Sequence, residues 1–227
     1  MRSRVLTALL IAGLTVTGVA TASPASADSA CTIRDFSPRS VTVGFTPVTT
    51  TFSVQTSGCS VQGWTAHGSE YEFLAFDDSP QKTFNPWSNA DAGRVDVIVS
   101  AYNSDYAQRE RVFAGGFTLK RATAFQQGTY NASPEPVRRG APVTLTGRLL
   151  IVNWQTDQYG PWGNRPVNVQ FRTPGGSYQT VATVNTDRNG WVRTTVPAGR
   201  TGYWRLHYAG NSAAGRSVTS GDAVEVR

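Results

Sequence analysis

Along short stretches of this chain, apolar and polar side chains alternate with the two-residue period of a half-buried strand, and no amphipathic helix of ordinary length is visible. Val95, Val97 and Val99 fall on one side of their segment, with Asp96 and Ser100 on the other. Val192, Thr194 and Val196 oppose Trp191, Arg193 and Thr195. Trp204, Leu206 and Tyr208 oppose Tyr203, Arg205 and His207, which places His207 toward solvent. Such segments, separated by Gly, Pro, Asn and Ser, predict strands over residues 40–43, 49–55, 61–66, 70–76, 94–102, 109–114 and 117–121. A second series covers 143–149, 166–172, 179–185, 191–196, 203–208 and 223–227. Asp187-Arg188-Asn189-Gly190 joins two of these with the Asn-Gly pair that supplies positive φ to a tight hairpin turn.

Strands at this spacing predict an all-β chain: two tandem immunoglobulin-like antiparallel β-sandwich domains after a signal peptide. The expected division is 1–27 for the signal peptide, 28–121 for the N-terminal sandwich, 122–142 for a linker and the first edge of the second domain, and 143–227 for the C-terminal sandwich. Arg2 and Arg4, the apolar stretch 5–22 and the small triplet Ala25-Ser26-Ala27 form the three regions of an export signal, with cleavage expected after Ala27. The remaining chain of about 200 residues has no stretch apolar and long enough to be a membrane span, so a secreted, extracellular product is expected.

Composition sharpens this picture in three places. Charged residues are only 16% of the chain, but aromatics at 11% supply apolar area enough to argue for a folded protein. After cleavage 19 basic residues stand against 15 acidic ones, and the basic clusters at Arg109/Arg111, Lys120-Arg121 and Arg138-Arg139 are small and separated. A nucleic-acid partner needs a dense basic stripe with stacking aromatics, so none is expected. Cys31 and Cys59 are an even pair in an exported chain and read as a disulfide, worth about 3 to 4 kcal/mol in the chain-entropy account. A catalytic thiol would need a base, and the two histidines, His67 and His207, fall in different predicted domains.

From Ser133 onward a more specific pattern emerges: Ser133-Pro134-Glu135-Pro136-Val137, Gly140, Val143-Thr144-Leu145-Thr146-Gly147, Trp154, Tyr159, the stretch Val167 to Arg172, Thr194-Thr195-Val196, and Gly202-Tyr203-Trp204-Arg205 with Tyr208-Ala209-Gly210. It resembles a bacterial immunoglobulin-like, prealbumin-like β-sandwich module of exported actinobacterial proteins. The resemblance covers roughly the last 100 residues. It implies architecture and location, and no catalytic residues. Residues 31–121 resemble immunoglobulin-like domains only generically and depart from the antibody pattern, since Trp64 follows the second cysteine by five residues.

Candidate chemistry is sparse. There is no G-x-S-x-G elbow and no H-E-x-x-H zinc motif, and no cofactor or metal is expected. Glu70, Glu72, Asp77 and Asp78 could serve a weak hydrolase, and Asp77-Asp78 with Asp91 could lean on calcium; each group reads more simply as solvated turn residues. Aromatic loops are the candidate binding feature. The connection 155–165 (QTDQYGPWGNR) carries Tyr159 and Trp162 with Trp154 at its edge, and Trp87 ends a second such loop. These rings either stack on a sugar or protein partner or fold back over an open end of the sandwich. The expectation is a secreted, non-catalytic interaction or structural protein that binds a cell-wall polysaccharide or an envelope protein. Its alternatives are a weak hydrolase and a protease inhibitor or effector presenting residues 56–60.

Overall fold

A computed structural model describes residues 31–59, 64–68, 73–102 and 108–227; the expected signal segment and Glu70 and Glu72 lie outside the described residues. Among the described residues the chain forms nineteen strands and a single 3-10 turn at Asn89–Asp91.

The first sandwich comprises β1 (Thr32–Ser37), β2 (Ser40–Val43), β3 (Val48–Thr51), β4 (Ser53–Ser57), β5 (Trp64–Gly68), β6 (Leu74–Phe76), β7 (Gln81–Phe84), β8 (Gly93–Tyr102) and β9 (Gln108–Arg121). One sheet runs β2-β9-β8-β5-β6, and the pairs β1-β4 and β3-β7 cover its inner face. The first strand line is split between the sheets: β1 is antiparallel to β4, whereas β2 is parallel to β9. This division, with β8 and β5 beside β9, is the immunoglobulin arrangement. β3 and β4 are one line interrupted at Phe52, whose N–H donates to the Pro80 carbonyl and whose ring enters the core. There it joins Phe73, Phe84 and Phe117, with neighbouring ring centroids 5.1 to 6.3 Å apart. Cys31 and Cys59 are bonded, closing the open end of the β1-β4 pair, so the bridge lies within one sheet instead of crossing between two.

The second sandwich comprises β10 (Thr123–Phe125), β11 (Asn131–Ser133), β12 (Pro142–Asn153), β13 (Gln158–Pro161), β14 (Pro166–Arg172), β15 (Gln179–Asn185), β16 (Trp191–Pro197), β17 (Gly202–Tyr208), β18 (Ser217–Val218) and β19 (Asp222–Val224). β11 and β16 flank β12 in one sheet; β15-β14-β17 forms the other, extended by β18 and β19. A parallel bridge between Val137 and Val226 repeats the split first strand of the other module. The core is aliphatic: Val143, Leu145, Leu149, Val167, Val169, Val192 and Leu206 are fully enclosed, with Trp204 and Tyr208 beside them.

Several segments differ from the alternation-based expectation, each for a physical reason. The segments 109–114 and 117–121 are one strand, β9, carried through a register shift opposite Val95 and Val97 by Gly115 at φ 55°, a left-handed conformation glycine adopts without strain. β12 runs four residues past the expected end at 149, because Leu149-Leu150-Ile151-Val152 is apolar on both sides and so carries no alternation. The expected loop 155–165 contains β13, which folds back on β12 with Asn153 opposite Gln158. Residues 122–142 carry β10 and β11, three-residue strands too short to show a period.

Candidate functional site

β12 has two parts with different partners. Residues 142–148 pair with β16 inside the second sandwich, whereas its last five residues pair with β10 and β13 and lead toward the first. Successive side chains point to opposite faces. Ile151 accordingly belongs to the second core, while Val152, together with Trp154 just beyond the strand, belongs to the first.

Trp154 is 5% exposed and its indole Nε1–H donates to the Val43 carbonyl at 3.3 Å. Its backbone N–H donates to Asn89 Oδ1 at 3.0 Å, and Asn89 Nδ2 donates to Asn153 Oδ1 at 2.8 Å and Gln155 Oε1 at 2.9 Å. Asn89 is held by a capping box in which Ser88 accepts from Ala90 N–H and Asp91 accepts from Ser88 N–H. On the opposite flank Arg121 Nε donates to the Val152 carbonyl at 2.7 Å, and Arg121 pairs through its backbone with Ala213 and Gly215. Desolvation lowers the pKa of this guanidinium, although an arginine at this depth stays charged. The two sandwiches are therefore joined by a buried ring, a side-chain amide cluster and backbone bonds.

Around this junction lies a rim of exposed aromatics. Phe45, in the β2-β3 loop, is 46% exposed and meets Tyr159 of β13 edge-on with centroids 4.9 Å apart. Trp87 is 80% exposed and stands two residues before Asn89. A ring that open on a polar surface is available to stack on a sugar face or enter a partner's pocket.

The four aromatic candidates thus occupy different places. Trp154 is enclosed at the junction, Tyr159 and Trp87 are on its rim, and Trp162 lies against the second core. There Trp162 Nε1–H donates to the Tyr208 hydroxyl at 3.1 Å and the Arg165 guanidinium stacks 3.9 Å over the indole. Asp77 and Asp78 are exposed in the turn after β6, and Asp91 closes the capping box. His67 and His207 are in different sandwiches; His207 is half-buried on β17, with Nδ1 enclosed and unpartnered. Among the described residues no three His, Cys, Asp or Glu side chains are grouped to hold a metal ion, and no helix is long and apolar enough to cross a membrane.

Phe45 and Asn89 were not legible as site residues. Asn89 acts through a contact 64 residues away in sequence, and Phe45 sits in a short polar loop without periodicity. The signal that could have located the junction is the doubly apolar run before Trp154, since burial on both faces at a strand end requires a second body.

No family of known sequences matches the chain, and no curated protein matches it. Among solved structures it is similar to a 1.5-MDa bacterial ice-binding adhesin implicated in host cell surface retention, at 13% identity and TM-score 0.30, over 86% of this chain and 65% of that one. The chain thus spans just under two thirds of that structure's length. It is also similar to the fibronectin(III)-like modules of Clostridium thermocellum CbhA, at 9% identity and TM-score 0.38 over 86% and 92% of the two chains. The D00-D0 domain of Intimin is a third, at 11% identity and TM-score 0.30 over 81% and 94%.

Proposed function

We propose that the chain is a secreted, non-catalytic interaction or structural protein of the cell envelope or extracellular medium, whose two sandwiches form one rigid body and which contacts a polysaccharide or protein partner through the aromatic rim of the junction. The observation that carries this reading is the placement of an 80% exposed Trp87 beside a junction locked by a buried Trp154. A rigid scaffold bearing exposed rings loses little ordering entropy on binding, which suits it to contact with a partner. The domain division at about residues 121–122 is part of the proposal, and the two separate hydrophobic cores support it.

The test is retention of the purified chain by sedimented cell wall, chitin and cellulose, with Trp87→Ala and Tyr159→Ala as variants. Each variant should cut retention about tenfold while leaving the melting temperature within a degree or two, as expected for exposed hot-spot rings. Retention unchanged in both variants would remove the rim from the proposal. Turnover of any of these polymers that disappears on substitution of a single carboxylate would favour the hydrolase alternative.

A further inference from the structure

Charge is unevenly shared along the chain. Residues 28–121 hold eight basic and ten acidic side chains, whereas residues 122–227 hold eleven arginines, no lysine and five carboxylates. Three of those carboxylates have work elsewhere: Asp187 accepts from the Asn189 and Trp191 N–H groups, Asp222 accepts from Ala132 N–H, and Glu225 pairs with Arg227. The excess positive charge therefore has little internal compensation.

Part of it is organised on the outer face of the β15-β14-β17 sheet. Tyr178, in the hairpin between β14 and β15, folds across this face with its hydroxyl against Gly221, where a Cβ would have no room. The Arg205 guanidinium lies 3.7 Å from the Tyr178 ring centroid; that of Arg172 lies 5.1 Å from Tyr178 and 4.3 Å from Tyr203. A polar ladder fixes Arg205 further: its Nε donates to Gln170 Oε1 at 2.8 Å, and Gln170 Nε2 donates to Thr180 Oγ1 at 3.2 Å. Among the described residues neither Arg172 nor Arg205 enters an ion pair, and Arg216 lies close enough to act electrostatically on His207 beside them. The guanidiniums are held in place by rings and amides while their terminal N–H groups remain available.

We propose that this face binds an acidic polysaccharide, with Arg172 and Arg205 pairing to carboxylates on successive parts of one glycan chain. Arg172 sits opposite Tyr203 and Arg205 opposite Gln170, so the two are diagonal neighbours roughly 7–8 Å apart at the backbone, a spacing suited to a polymer with repeated charge. A guanidinium takes a carboxylate through two parallel N–H donors, and here the rings have already ordered the side chains. The Asn168 amide nitrogen and the Thr180 hydroxyl hydrogen, which the internal bonds to Asn168 Oδ1 and Thr180 Oγ1 leave over, match sugar hydroxyls. The face has no dense basic stripe for duplex phosphates, and Val181 and Val218 are the exposed large apolar side chains on the strands of this sheet, too few to anchor in lipid. The inference rests on the reading that the chain works by binding, and it assigns a second surface, distinct from the junction rim.

The experiment is binding of the purified full chain to alginate, a polyuronate, against neutral dextran, duplex DNA and phosphatidylglycerol vesicles. Alginate should be preferred over all three, with affinity falling at least tenfold between about 50 and 300 mM salt. Arg172→Gln and Arg205→Gln should each weaken it about five- to tenfold, and Trp87→Ala should leave it unchanged. Arg193→Gln, on the exposed side of β16, removes the same charge from the other sheet and should change affinity less than twofold. Equal losses in Arg193→Gln and Arg205→Gln would reduce the effect to net charge and overturn the assignment. Tighter binding to DNA or vesicles, or indifference between alginate and dextran, would overturn it as well. Loss of rim-dependent retention with alginate binding intact would sink the junction reading alone.

Discussion

In the first sandwich Arg39 stacks 4.0 Å over Phe36 and 4.7 Å over Phe113, while Arg111 lies 4.7 Å over the same Phe113. Their donors are spent within the fold: Arg111 Nη1 bonds the Ile33 and Arg34 carbonyls at 2.8 and 2.9 Å, and Arg39 bonds the Asp35 carboxylate and the Gly116 carbonyl. Asp35 responds, its pKa lowered first by the Phe36 N–H it accepts from and then by Arg39 and Arg111. In the second sandwich the same pairing of guanidinium and ring occurs at Arg172, Arg205, Tyr178 and Tyr203, but only Arg205 Nε is committed, to Gln170. The difference teaches that stacking on a ring does not by itself define a role. What counts is where the remaining N–H groups go: inward to carbonyls, where they fasten β9 to β1, or outward, where they await an acceptor.

The largest effect should come from uncoupling the two regions. Trp154→Ala removes a buried indole from the first core and its bond to Val43, and should cost about 3–5 kcal/mol. Calorimetry should resolve one transition for the parent and two for the variant; a single unshifted transition would mean that Trp154 does not couple the two sandwiches. Next, replacing Cys31 and Cys59 with serine should destabilise the chain by about 3 kcal/mol, the entropy of the opened loop, and lower its single transition without splitting it, because Trp154 still couples the two sandwiches. Urea unfolding would measure this, and an unshifted midpoint would show that the bridge closes no costly loop. The comparison itself is sharpened by Arg111→Ala against Arg205→Ala. The first strips two carbonyls of a charged donor and should cost about 1–2 kcal/mol, whereas the second should cost under about 0.5 kcal/mol, with its effect appearing in ligand affinity. Equal stability losses would erase the distinction.

The smallest effect concerns His207. Burial, and then the neighbouring Arg205 and Arg216, lower its pKa below the ordinary 6.5. The unfolded chain therefore takes up this proton first as pH falls, so the contribution is fully present above about pH 6.5 and is lost as pH drops through the folded value. The buried, unpartnered Nδ1 gives the cause a location, since protonation would place a donor where no acceptor stands. Subtracting the stability curve of His207→Asn from that of the parent should leave a step below pH 6.5; a flat difference would show that the imidazole is solvated in the folded state.

How far these features could be read in advance depended on local pattern. The outlines of β2 and β14 coincide with the stretches of alternation at 40–43 and 166–172, because each of these strands buries one face and wets the other, and β15 matches the stretch at 179–185 although its side chains are at most half-buried. The disulfide pairing was equally legible, two cysteines leaving one choice. Trp154 was singled out as a ring of interest, but its burial in the other module's core depends on Val43 and Asn89, which are distant in sequence. The arginine face was half visible: Tyr203, Arg205 and His207 share one side of an alternating stretch, yet nothing local says that Tyr178 crosses two strands to cover Arg205.

By itself, then, the amino-acid order determined that this chain is all β, that it divides into two series of strands, and that its cysteines pair. These follow from periodicity and from simple counting, which operate over a few residues at a time. Tertiary structure alone decided which aromatic rings are fasteners and which stay open, and which arginines are consumed by carbonyls. Those outcomes depend on contacts between residues up to 111 positions apart, where the energy of a side chain is set by neighbours its own segment cannot specify.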